Sequence, residues 1–201
     1  MRLVGESWPS PLSRAHFEHL ALTEQARLAP GVPPRVHHYD AAMALIVMEL
    51  LEPHLIMRRG MITAIVHPEF PRHIAQFMAR TLYFTSDLAL RAAEKKQRIA
   101  AFTGNFALCK ITEDLIFTEP YMLAANNRWT SPELDDIAAA FREDLDLHVA
   151  ISRLKLAFMR APEAMIHGDL HTGSIMVTST ETRVIDPEFA FYGPMGFDVG
   201  A

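Results

Sequence analysis

Between residues 164 and 189 the chain carries three apolar runs too short for helices, MIHGDL, SIMVT and TRVID, separated by glycine and turn residues. Their β-branched and long apolar side chains predict short strands, with Ser179-Thr180-Glu181 turning between the last two to make a hairpin. A hairpin brings its ends together, so the loop after His167 and the segment after Ile185 can share one site. Asp169 lies in the first of these segments. Asp186 and Glu188 flank Pro187 in the second, and in an extended backbone residues two apart face the same side. Three carboxylates near one point repel unless a cation neutralises them, and hard oxygen donors of this kind suit Mg²⁺. Phosphoryl transfer needs such a metal, together with a carboxylate that orients and deprotonates the attacking hydroxyl. Asp169 fits the second role, and Ser174 can add an oxygen to the metal shell.

Upstream, the pattern is mostly helical. Ser13 is placed to cap a helix over residues 14–29 that stops at Pro30-Gly31. PRVHHYD and MALIVMEL then read as two strands joined by a tight Ala41-Ala42 turn, and Pro53 closes the unit. From about His73, apolar residues recur at helical spacing through Leu82. Further helices are expected over residues 90–102 and 107–117. Ser131-Pro132 supplies a cap and first-turn proline for another, which breaks near Asp146 and runs to Arg160. The order predicts an α+β fold: a partial N-terminal lobe, helix plus β-hairpin, over residues 1–51, then a mostly helical C-terminal lobe over 52–201 that carries the acidic hairpin.

Half of the 201 side chains are hydrophobic, enough for a real core. A net charge of -5 with no basic run argues against a nucleic-acid partner. The N-terminus lacks a secretory apolar stretch, and the longest apolar run, Met43–Met48, is far too short for a bilayer. The single cysteine, Cys109, suits a reducing compartment. These features predict a cytoplasmic protein without a membrane partner. His167 and His171 stand four apart as zinc ligands do on a helix, but Gly168 and Thr172-Gly173 disfavour that helix.

HGDLHTGS followed by VIDPE resembles the catalytic and metal-binding segments of the aminoglycoside-phosphotransferase-like kinases, small-molecule relatives of the protein kinases. The segments GESWP, VMEL, TSDLAL, LCKITEDLIFTEP, IHGDLHTGSI and DPEFAFYGPMGFDVG extend the resemblance over nearly the whole chain. It implies a protein-kinase-like two-lobe fold, ATP and Mg²⁺ as cofactors, and a small sugar as acceptor, with homodimerisation. By this resemblance Asp169 is the base, while Asp186 and Glu188 form a D-x-E metal motif where most kinases carry D-F-G. Ser174 stands where many relatives place a metal-binding Asn. Met48, Glu49, Leu50 and Leu51 correspond to the hinge that hydrogen-bonds adenine through its backbone. Glu18 matches the helix partner of a phosphate-binding lysine, and Trp8 a tryptophan-bearing loop near the nucleotide. His167 and His171 brace the catalytic loop, and Asp198 in GFDVG is a buried carboxylate that supports it.

No phosphate-covering G-x-G-x-x-G or G-x-x-x-x-G-K-[ST] occurs, and none of Lys95, Lys96, Lys110 and Lys155 lies on an N-terminal strand. The resemblance implies that the glycine loop and strand lysine precede residue 1 and that a sugar-binding arginine pair follows residue 201. The 201 residues alone are therefore expected to be nearly inactive. Two other functions remain open from the residues: a kinase for an aminoglycoside, choline or homoserine, and a non-catalytic remnant that binds without turnover.

Overall fold

The computed structural model describes residues 11–201. Helix α1 (Arg14–Leu28) buries Phe17, Ala21, Leu22, Gln25 and Leu28 along one stripe. Ser13 occupies its boundary, but the hydroxyl makes no capping bond; the His16 N–H donates to the Ser13 carbonyl instead. Strands β1 (Val36–Asp40) and β2 (Leu45–Met48) pair antiparallel. Their connection is four residues long, not the tight two-residue turn expected. The Asp40 carboxylate shapes it by accepting from the N–H groups of Ala42 and Met43.

Strand β3 (Leu55–Ile56) and helix α2 (Met57–Ile62) follow, too short for a periodic signal in the sequence. Helix α3 (Phe70–Thr85) starts about one turn earlier than the apolar spacing suggests, because Pro71 belongs to its first turn. Helices α4 (Ala92–Phe102) and α5 (Phe106–Phe117) occupy the expected stretches. The helix expected at Pro132 begins only at Asp135. Residues 131–134 form a turn, and the Asp135 carboxylate takes hydrogen bonds from Trp129 and Ser131. This α6 (Asp135–Glu143) breaks at Asp144, whose side chain accepts from the Leu147 N–H and caps α7 (Leu145–Arg160).

The last forty residues hold β4 (Ala164–Ile166), β5 (Ile175–Val177), β6 (Thr182–Val184), β7 (Phe191–Gly193) and α8 (Met195–Val199). β5 and β6 are the expected hairpin, in register Ile175 with Val184, and β3 extends it to a three-stranded antiparallel sheet. β4 pairs separately with β7. The fold is thus α+β, as the patterning predicts.

Three apolar clusters grip these strands. Ile175, Val177 and Val184 pack with Phe77 of α3, Met57 of α2 and Leu170. Met165, Ala190 and Tyr192 pack with Phe17 and Ala21 of α1 and Phe102 of α4. Ala164 and Ile166 pack with Leu82 and Phe158, against Phe197 of α8. Leu170 directly follows Asp169 and Ile166 directly precedes His167, so the polar loop between them hangs from buried anchors on both sides. No helix among the described residues is long and apolar enough to cross a membrane.

Candidate active site

The loop that leaves β4 is held by its backbone. The His167 and Gly168 N–H groups donate to the two carboxylate oxygens of Asp198 on α8, at 2.6 and 3.0 Å. Burial pushes the Asp198 carboxyl up to about 6, against the opposing pull of those two donors. His167 is buried, and burial brings its pKa down to about 4, so its imidazole is neutral near pH 7. The Asp169 N–H donates to its Nδ1 at 3.3 Å, which leaves the proton on Nε2 facing the Ile185 carbonyl at 3.0 Å. One imidazole therefore ties the loop to the strand end that precedes Asp186.

Gly168 has φ +81, and a Cβ there would stand 2.4 Å from the Phe189 carbonyl oxygen. Only glycine allows the loop and the 187–189 segment to lie this close. Asp169 projects from the loop with about two fifths of its side chain exposed, its Oδ2 3.5 Å from His171 Nε2. His171 Nδ1 accepts from the Gly173 N–H at 2.9 Å and lies 3.2 Å from both the amide nitrogen and the hydroxyl of Ser174. Ser174 is buried, and its hydroxyl donates to the Asp169 carbonyl at 2.7 Å, closing the loop on itself.

The acidic segment follows β6. The Ile185 N–H donates to the Ser174 carbonyl, so the two ends of the hairpin meet as predicted. The backbone beyond is not extended, however. Asp186 adopts a left-handed conformation, φ 65, and Pro187–Phe189 form one 3-10 turn. Asp186 and Glu188 reach a common point because that turn folds them together, not because strand alternation aligns them. Asn105, buried at the start of α5, fixes the turn by donating from Nδ2 to the carbonyls of Glu188 and Ala190, both at 2.9 Å.

Glu18 of α1 completes a cluster with Asp186 and Glu188 in which one oxygen from each lies within 4.8 Å of the others. Asp169 is not part of this trio. Its charge reaches it nonetheless, raising the pKa of both Asp186 and Glu188. Desolvation is the main cause for Glu18, Glu188 and the surface-exposed Asp186 alike, and repulsion from neighbouring carboxylates adds to it; Glu18 is pushed up to about 7. Arg14, one helical turn before Glu18, places Nη1 3.0 Å from Glu188 Oε2. Hard oxygen donors whose pKa is raised by desolvation and by neighbouring carboxylates are what a divalent cation relieves, so these residues fit Mg²⁺.

At the other end of α1's neighbourhood, Met48 ends β2 and Glu49 leaves it. The Glu49 N–H donates to the Arg35 carbonyl, and its carboxylate accepts from the Arg35 N–H at 3.1 Å and from Arg183 of β6 at 3.2 Å. The Arg35 N–H first, with Arg183 also contributing, holds the Glu49 carboxyl below its usual range. Leu50 is largely exposed and Leu51 half-buried. Trp8 lies outside the described residues. Two residues at the site carried no expectation from the sequence. Asn105 looks like an ordinary helix-stop Asn there. Arg14 is legible only as a cation one turn from Glu18.

The family model described as "Phosphotransferase enzyme family" matches residues 6–201. The chain belongs to that family, and its α+β fold is the family's protein-kinase-like fold, in part. Among individual proteins, it is 50% identical over its whole length to methylthioribose kinase 1 of Oryza sativa subsp. japonica, covering 47% of that protein. It is likewise 50% identical to methylthioribose kinase of Escherichia coli O45:K1 (strain S88 / ExPEC), covering 48%. Over 99% of the chain it is 45% identical to the enzyme of the same name from Geobacillus sp. (strain WCH70), covering 49%. The chain spans about half the length of these curated relatives.

Proposed function

We propose that the protein is an ATP-dependent kinase of S-methyl-5-thioribose, acting in the cytoplasm in methionine salvage and phosphorylating the sugar 1-hydroxyl. Its likeness to methylthioribose kinases supports the substrate. The observation that carries the chemistry is the convergence of Asp186, Glu188 and Glu18 beside the Asp198-anchored loop that presents Asp169.

In this reading Asp169 orients the sugar hydroxyl and accepts its proton as the oxygen attacks the γ-phosphorus and ADP leaves. His171, with Nε2 toward Asp169, helps hold that carboxylate in place. Asp186 and Glu188 hold Mg²⁺, with Ser174 contributing to its shell. When bound, the metal offsets the negative charge on the phosphoryl group in transit. His167 and Asp198 keep the loop at a fixed distance from the metal segment. The backbone of Met48, Glu49, Leu50 and Leu51 binds adenine at the junction of an N-terminal lobe (residues 1–51) and a C-terminal lobe (52–201). Trp8 lies near the nucleotide, and Glu18 partners a phosphate-binding lysine. The active form is a homodimer.

The test is ATP-dependent phosphorylation of methylthioribose and of kanamycin by the protein expressed from its complete reading frame. Methylthioribose alone should be phosphorylated, and Asp169→Asn should slow turnover by about 10²–10⁴-fold, the range for a general base. Phosphorylation of kanamycin alone, or an undiminished rate in Asp169→Asn, refutes the assignment.

A further inference from the structure

Arg14 opens α1, and one turn later on the same face stands Glu18. Its guanidinium lies 3.0 Å from Glu188 Oε2 and 3.4 Å from Oε1, so it grips both oxygens of one carboxylate of the cluster. Glu188 is mostly buried while Arg14 is about half exposed. The guanidinium favours the ionised forms of Glu18, Asp186 and Glu188 alike. Among the described residues no other arginine or lysine reaches any of these three carboxylates. Among the described residues the three carboxylates thus have one arginine or lysine in contact, and it sits on an oxygen pair that a metal would need.

Resting on the reading of Asp186 and Glu188 as metal ligands, we infer that Arg14 is a resident counter-ion that holds Glu188 in the metal-free protein and competes with the divalent cation for it. Metal entry and Arg14 release are then one exchange. The half-exposed guanidinium is rehydrated as it leaves, so the exchange costs little, as for other solvent-facing pairs. A divalent ion neutralises the cluster more completely than one guanidinium can. The pair keeps the three carboxylates from splaying apart before the metal arrives, at the expense of a weaker apparent metal affinity.

Mn²⁺, titrated by electron paramagnetic resonance into nucleotide-free protein at pH 8.5, reads the exchange directly. Arg14→Gln should bind Mn²⁺ about tenfold more tightly than wild type, a change of about 1.4 kcal/mol. Arg14→Lys, which keeps the charge, should stay near wild type. Metal-free Arg14→Gln should also melt at a lower temperature and gain more from Mn²⁺, whereas loss of a merely structural contact would weaken the site. Arg14→Met provides a second neutral variant if Arg14→Gln does not fold. Mn²⁺ affinity in the neutral variants equal to or below wild type overturns the inference while leaving the metal reading intact. A wild-type protein with no saturable Mn²⁺ site, or one unaffected by Asp186→Asn, overturns both.

Discussion

Replacing Gly168 by alanine separates two contributions that usually come mixed. Gly168 has φ +81, and Gly31 has φ +80, so both demand a backbone that an L side chain resists. A residue with a Cβ held on the left-handed side costs about 1–2 kcal/mol. At Gly31 nothing lies within 4 Å of the added Cβ, so Gly31→Ala should lose about that amount and no more. At Gly168 the new Cβ meets the Phe189 carbonyl oxygen at 2.4 Å, its carbon at 2.9 Å and its Cβ at 3.0 Å. Carbon–oxygen contacts relax at about 3.3 Å, so the loop and the 187–189 turn must separate by nearly 1 Å. The blocking atoms are largely backbone and cannot rotate away. Overpacking of this kind adds about 1–3 kcal/mol, which puts Gly168→Ala at about 2–5 kcal/mol in all.

The displaced turn carries Asp186 and Glu188, and a misplacement of ~1 Å can cost about 10²-fold in rate. Urea unfolding of wild type and both variants measures the stability difference, and Mn²⁺ titration reports the state of the acidic turn. If Gly168→Ala proves no less stable than Gly31→Ala and binds Mn²⁺ normally, the close approach of loop and turn does not shape the site.

Two further perturbations test the same frame. Asn105→Ala strips the donors from the buried carbonyl of Ala190 and the carbonyl of Glu188. It should cost about 1–3 kcal/mol by urea unfolding and weaken Mn²⁺ binding, whereas unchanged binding would show that the turn holds its shape unaided. Glu18 has its pKa raised from 4.5 to about 7 in the folded chain, so its contribution to stability is complete below pH 4.5 and is lost as pH rises through 7. Asp186 and Glu188 are raised as well and act in the same sense. In the metal-free protein wild type should therefore lose stability relative to Glu18→Gln between pH 4.5 and 7, while His167, whose pKa is lowered, pulls the other way equally in both; equal slopes in thermal melts would contradict the raised pKa of Glu18.

The hairpin of residues 175–184 and its two polar ends were legible in the residues themselves. Strand period, turn chemistry and the position of each carboxylate are local properties, readable over a few residues. So were most of the helices, because an amphipathic stripe repeats over several turns. What failed locally did so for local reasons. A two-residue strand such as β3 has no period, and Ser131-Pro132 resembles a helix start that the Asp135 carboxylate moves three residues on.

The composition of the acidic cluster was beyond the sequence. An extended 186–188 segment would also have aligned its two carboxylates, so nothing in the residues distinguishes that backbone from the left-handed Asp186 and 3-10 turn that are found. Glu18 lies 168 residues from Asp186, Arg14 lies 174 from Glu188, and Asn105 lies 83 from it. Their meeting depends on α1, α4 and α5 packing around β4 and β7, a consequence of apolar surfaces burying one another across the whole chain. Sequence determined which chemical groups this protein has and how each short stretch is shaped. Tertiary packing alone decided which of them stand close enough to repel, to bond and to share an ion.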